Sequence, residues 1–243
     1  MMRPEGIVEI SQQGHTGWFD PALLSVLSVD IFEPAYWQQR NAVTGTATGR
    51  GITWFVRDDE RELVLRHYRR GGLFGKLVKD TYLGWRTEQS RAMQEFTLLH
   101  RMHRDGLPVP VPVAAHRVRR GPGYGADIII ERIPGARSLM DLLLQSPLAK
   151  TGWRDIGATI RRFHDAGIDH TDLNIHNILL DDSGKVWVID FDKCAVRGDG
   201  EWKQGNMARL QRSLAKESTR HGKAIASDGD WVELAKAYAS SNQ

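Results

Sequence analysis

Three oxygen-bearing side chains in one short stretch have the types and the spacing to handle phosphoryl groups. The run His170-Thr171-Asp172-Leu173-Asn174-Ile175-His176-Asn177-Ile178-Leu179-Leu180 is followed by Val186-Trp187-Val188-Ile189-Asp190-Phe191-Asp192. Each run joins an apolar, strand-like segment to polar loop residues, so Asp172, Asn177 and Asp190 are expected to converge. A carboxylate such as Asp172 can orient a hydroxyl and accept its proton, and the hard oxygens of Asn177 and Asp190 suit Mg²⁺. Together they supply what transfer of a phosphoryl group to a hydroxyl requires. Loop acids that merely face solvent are the competing reading, which a lone Asp-Phe pair would not displace.

The spacing matches the protein-kinase loop H-R-D-L-x-x-x-N, with Thr171 in place of the arginine, and the later D-F-G, with Asp192 in place of the glycine. The role of Asp192 stays open between metal contact, acceptor contact and surface charge. His170 is expected to anchor the loop rather than titrate. His164 and His176 flank it six residues away on either side, a spacing that fits no usual zinc site and points to structural roles.

The elements that must position this loop read as a small sheet followed by helices. Residues 44–51 form a glycine-spaced turn, 52–56 a strand, 57–61 a hairpin turn and 62–68 the returning strand. Gly45, Gly49 and Gly51 fall where a kinase's phosphate-covering loop lies, although their spacing is not G-x-G-x-x-G and alone would read as a hairpin turn. Arg66 stands at the place of the strand lysine, with Glu95 on the following helix as its ion-pair partner; a surface arginine and a helix-face glutamate are the alternative. Met93, Phe96, Leu99 and Met102 mark that helix, over residues 88–103, and Pro108, Pro110 and Pro112 end it. Residues 111–116 and 126–130 read as two more strands, and an apolar cluster over 23–32 as a short helix. Beyond Gly135 the pattern turns helical, over 139–144 and then with Trp153, Ile156, Ile160 and Phe163 on one face.

Composition bounds the setting. The 243 residues, 41% hydrophobic and 26% charged, fit a folded globular chain rather than a disordered one. A single cysteine, Cys194, permits no internal disulfide and fits a reducing compartment. The sequence has no apolar run long enough to span a bilayer and its first residues lack a signal-peptide core, so a cytoplasmic protein is expected. Basic residues exceed acidic ones by 33 to 30, too weak a lean for a nucleic-acid binder. Only 9 of those 33 are lysine, leaving 24 arginines, whose planar fork suits carboxylates and phosphates. Arg69 with Arg70, and Arg209 with Arg212, are candidates for an anionic cradle. Arg117, Arg119 and Arg120 are candidates for weak contact with an anionic membrane surface, with ordinary solvation as the alternative throughout.

Residues 32–39, 45–51, 64–72, 170–177 and 206–214 resemble the 3-deoxy-D-manno-octulosonic acid (Kdo) kinases, in the lipopolysaccharide kinase branch of the protein-kinase-like superfamily. The Arg70-Gly71-Gly72 segment and the tryptophan-bearing run 32–39 are the narrower signals. The resemblance implies an α+β, two-lobed kinase-like fold, with an antiparallel-sheet lobe over 1–132 and a short, mainly helical lobe over 133–243. It implies that ATP phosphorylates the 4-hydroxyl of Kdo on a lipid A precursor, with Asp172 catalytic, Asn177 and Asp190 holding Mg²⁺, and Gly45, Gly49, Gly51, Arg66 and Glu95 at the nucleotide. The expected setting is the cytoplasmic face of the inner membrane, with peripheral attachment and no nucleic-acid or obligate protein partner. No A-P-E segment follows Asp190, which disfavours a protein substrate. A heptose or aminoglycoside kinase, or a nucleotide-binding pseudokinase scaffold, remains the alternative, the latter because of Arg66 and the missing D-F-G glycine.

Overall fold

The structure is a computed structural model, and it describes residues 2–48, 52–68, 82–83, 87–121 and 123–240. Two compact units emerge, one of Met1–Arg101 with Pro110–Arg132, the other of Met102–Val109 with Ile133–Gln243. Segment 102–109 thus sorts with the second unit, which a single cut after residue 132 does not anticipate.

The first unit is an antiparallel sheet carrying one long helix. Its elements are β1 (Val8–Gln12), β2 (His15–Phe19), a 3-10 turn (Val29–Phe32), α1 (Pro34–Gln39), β3 (Val43–Thr48), β4 (Ile52–Asp58), β5 (Arg61–His67), β6 (Tyr82–Leu83), α2 (Arg91–Arg104), β7 (Pro112–Arg120) and β8 (Gly123–Glu131). The strands run in the order β1-β2-β7-β8-β5-β4-β3, with β6 added beside β8. β4 and β5 meet through the two-residue turn Asp59-Glu60, where Asp59 takes φ +50°, a left-handed conformation that aspartate tolerates. Strand alternation then sorts β5. Leu63 and Leu65 are buried in a core with Phe19, Phe32, Trp37 and Ile129, while Arg66 falls on the opposite face.

The apolar cluster 23–32 is not a helix. Leu23, Leu24 and Leu27 do pack on the core, but only Val29–Phe32 forms a 3-10 turn. Polar side chains offer the backbone other partners: Ser28 Oγ accepts from the N–H of Asp30 at 3.2 Å, and the N–H of Ser25 donates to Asp58 at 2.8 Å. Gly45 lies inside β3, at a register shift opposite β4, rather than in a turn; Gly49 and Gly51 lie outside the described residues.

The second unit contains β9 (Arg137–Ser138), α3 (Leu139–Gln145), α4 (Lys150–Asp165), β10 (Ile168–Asp169), β11 (Ile178–Leu180), β12 (Val186–Val188), β13 (Ala195–Val196), α5 (Trp202–His221) and α6 (Asp228–Ser240). α4 buries Trp153, Ile156, Ile160 and Phe163 on the face its periodicity marks. At Gly157 it meets α6 so closely that a Cβ would stand 2.1 Å from the carbonyl oxygen of Leu234. β11 and β12 form a hairpin, Ile178 opposite Val188, and the bond from Ile189 N–H to the Asn177 carbonyl at 3.0 Å extends it by one pair. That bond brings Asn177 and Asp190 to one end of the hairpin. Among the described residues, no helix is long and apolar enough to cross a membrane.

Candidate active site

His170 opens the loop and is buried. Its Nε2 donates to the carbonyl of Ile189 at 3.0 Å, and its ring meets Phe191 edge-on with centroids 4.9 Å apart. Phe191 in turn stacks on Phe163 of α4, so the residues before and after Asp190 are both fixed to the core. Burial lowers the His170 pKa below its ordinary value, which keeps the imidazole neutral and suits an anchor rather than a proton carrier.

Within the loop, the side-chain amides of Asn174 and Asn177 donate to the backbone carbonyl of Asp172 at 2.8 and 3.0 Å. The Asp172 carboxylate is left half-exposed. Because Asn177 donates through Nδ2, its Oδ1 is the atom of that amide suited to a cation. Asp190 adopts φ +65°, an uncommon conformation for a residue other than glycine and one that clusters at functional sites. Asp192 is half-buried.

One helix braces the loop along its length. From α5, Asn206 Oδ1 accepts the N–H of His170 at 3.0 Å and Ser213 Oγ accepts the N–H of Ile175 at 3.2 Å. Arg209 Nη1 lies 3.6 Å from Asp172 Oδ1, and Glu217 Oε1 lies 3.4 Å from His176 Nε2. These four positions recur at steps of three, four and four residues, the spacing of one helix face. Glu217 is buried; burial alone would raise its pKa, but its contacts with His176, Arg220 and His221 outweigh that and lower it. Of these four, only Arg209 carried an expected role from the sequence; Asn206 and Ser213 lay unassigned within the resembling run 206–214, and Glu217 lay outside it. Their signal was polar residues interleaved with Leu210 and Leu214 on the buried stripe of an amphipathic helix.

In the first unit, Arg66 Nη1 reaches Glu95 Oε1 at 3.2 Å, with the glutamate side chain only 1% exposed. The hydroxyl of Tyr68 donates to the other oxygen of Glu95. Arg117 is buried, its guanidinium 5.2 Å from the centre of the Tyr124 ring, so it cannot serve as a headgroup contact; the cross-strand tyrosine covers it. Arg119 and Arg120 are exposed, as are Arg209 and Arg212, while Arg69 and Arg70 lie outside the described residues. His164 is buried against Tyr238, with Nδ1 2.8 Å from its hydroxyl oxygen, and His176 faces Glu217; both have protein partners. Among the described residues, no group of three or more His, Cys, Asp or Glu side chains is arranged to hold a metal ion.

An antiparallel sheet that pairs a strand arginine with a helix glutamate, and a helical unit with a D-x-x-x-x-N loop and a left-handed aspartate after it, define a protein-kinase-like phosphotransferase. The chain belongs to the lipopolysaccharide kinase (Kdo/WaaP) family, whose model matches residues 34–238. It is 54% identical over 202 residues to a 3-deoxy-D-manno-octulosonic acid kinase of Vibrio parahaemolyticus, covering 82% of this chain and 84% of that one. Kinases of the same name from Vibrio cholerae and Photobacterium damsela are 51% and 47% identical, over 84% and 90% of this chain and 87% and 91% of theirs. Among solved structures, the Cydia pomonella Granulovirus kinase PK-1 matches with a TM-score of 0.45 and 14% identity, over 68% of this chain and 58% of that one.

Proposed function

We propose that the protein transfers the terminal phosphoryl group of ATP to the 4-hydroxyl of Kdo on a lipid A precursor, in lipopolysaccharide core assembly. The observation that carries this reading is the braced loop, which holds the Asp172 backbone while leaving its carboxylate open to an acceptor. Asp172 would orient the sugar hydroxyl and take its proton as the new P–O bond forms and the bond to the leaving diphosphate breaks. Arg66, held by Glu95, would grip phosphate oxygens of the nucleotide with its planar fork. The glycine-bearing segment that includes Gly45, Gly49 and Gly51 would cover those phosphates.

The donor set fits Mg²⁺: an amide oxygen of Asn177 and a carboxylate of Asp190 are hard ligands at one end of a hairpin. Few protein ligands are needed, because nucleotide phosphates and water complete the usual octahedron. When bound, the ion would neutralise charge on the transferring phosphoryl group.

A lipid-linked acceptor puts the enzyme at the cytoplasmic face of the inner membrane. The exposed Arg119 and Arg120 support a weak, reversible attachment, at about 1 kcal/mol for each basic residue near an anionic surface. The names of the relatives favour Kdo over a heptose or an aminoglycoside, and the joint presence of Asp172, Asn177 and Asp190 speaks against a scaffold.

The test is to offer labelled ATP and Mg²⁺ with three acceptors in parallel: a Kdo-bearing lipid A precursor, a heptose-terminated core and an aminoglycoside. Label on the first alone is expected. Label on another acceptor, and none on the first, overturns the assignment.

A further inference from the structure

The four contacts that α5 makes with the catalytic loop are not alike. Asn206 and Ser213 accept backbone N–H groups, and Glu217 is a buried carboxylate facing His176. Arg209 differs in burial and in target. Its side chain and that of Asp172 are each 48% exposed, and their 3.6 Å separation exceeds a hydrogen bond. A pair so exposed contributes at most about 1 kcal/mol, so it does little to hold a loop that three other contacts already fix. The contact with Asp172 engages one guanidinium nitrogen, Nη1, and an arginine fork carries further donors with the geometry to clasp a second anion.

The acceptor supplies such an anion. In Kdo the carboxylate is attached to C2 and the reacting hydroxyl to C4 of one six-membered ring. When the hydroxyl stands at Asp172, the carboxylate lies within one ring's width of it, a distance that the guanidinium 3.6 Å from Asp172 can span. We infer that Arg209 binds the carboxylate of the acceptor sugar and selects an acidic ring over a neutral one. The inference rests on the proposed Kdo kinase reading. The rival acceptors, a neutral heptose and a cationic aminoglycoside, lack the carboxylate that Arg209 would clasp, so the contact is also a source of specificity. An anion on the transferring phosphoryl group is the other chemistry open to an arginine here, and the test separates the two.

Steady-state kinetics would compare the wild-type protein with R209Q and R209K, on a Kdo-lipid A precursor and on the methyl ester of its Kdo carboxylate. R209Q is expected to raise the KM for the acid acceptor roughly ten- to a hundredfold, as loss of a charge-assisted hydrogen bond implies, while ATP KM stays within about twofold. The wild type should lose a similar factor on the ester, R209Q should no longer distinguish ester from acid, and R209K should recover part of the difference. R209Q that still prefers the acid as strongly as the wild type overturns the inference. So does an equal fall in kcat on both acceptors or a raised ATP KM, either of which assigns Arg209 to the phosphoryl group. Absence of transfer to the Kdo acceptor by the wild type overturns the kinase reading itself, a result distinct from any change confined to the variants.

Discussion

Asn206 accepts the backbone N–H of His170 at 3.0 Å while its own amide donates to Asp169 at 2.9 Å, so one buried side chain fixes two consecutive residues at the mouth of the Asp172 loop. Asp169 is further paired with Arg197 Nε at 3.0 Å, tying β10 to the segment after β13.

Replacing Asn206 with leucine keeps the branching of the side chain and strands the His170 N–H in the interior. The expected cost is about 1–3 kcal/mol in stability, the penalty for a buried polar group left without a partner. A loss of kcat larger than any change in ATP KM should accompany it, because the loop shifts and the nucleotide grip does not. Urea unfolding and steady-state kinetics on N206L check both, and unchanged kcat would show that the loop is placed by its other contacts.

Arg66 and Glu95 form a pair of which only the arginine meets water, with 24% of its side chain exposed against 1% for the glutamate. E95A removes the anion facing both Arg66 and the Tyr68 hydroxyl, and a destabilisation of about 3 kcal/mol is expected, near the low end for breaking a buried pair. R66A should raise ATP KM, and R66K should restore part of it, since lysine keeps the charge and loses the fork. An ATP KM unaffected by R66A would place the phosphates elsewhere.

His164 carries a pH signature. Burial holds its pKa at about 4, against an ordinary 6.5, with a hydrogen bond to Asn206 opposing the shift. The native state therefore resists a proton that the unfolded chain accepts. This contribution to stability is whole above pH 6.5 and is lost as pH falls through 6.5 towards 4, reaching about 3 kcal/mol below that window. In H164Q the slope of unfolding free energy between those pH values should flatten by up to one proton. Parallel slopes in the two proteins would contradict the assignment.

The candidate residues of the Asp172 loop could be grouped from sequence because they sit close together in it. Asp172, Asn177 and Asp190 lie along one loop and the hairpin that follows it, whose strands read directly, and the pairing of Arg66 with Glu95 was expected from the kinase pattern of a strand cation and a helix carboxylate. Less legible was whatever depended on distant partners. The hairpin β1–β2 carries only short strands, and β2 is brought into the sheet by pairing with β7, nearly a hundred residues on. The helix expected over 23–32 gave way to hydrogen bonds that Ser25 makes with β4, again a tertiary matter. Arg117 reads as a surface cation until Tyr124 on the next strand covers it. The brace formed by α5 was hidden for the same reason: its polar residues are explained only once the loop lies alongside.

Whether the Asp172 loop carries phosphoryl transfer to Kdo can be read from the mass of the acceptor. A Kdo-bearing lipid A precursor would be incubated with ATP, Mg²⁺ and either the wild-type protein or D172N, and the product fragmented to locate any added phosphate. One phosphate on the 4-hydroxyl of Kdo is expected, formed at least roughly a hundredfold more slowly by D172N while ATP binding is unchanged. A phosphate on another position, or near-normal turnover by D172N, would contradict it.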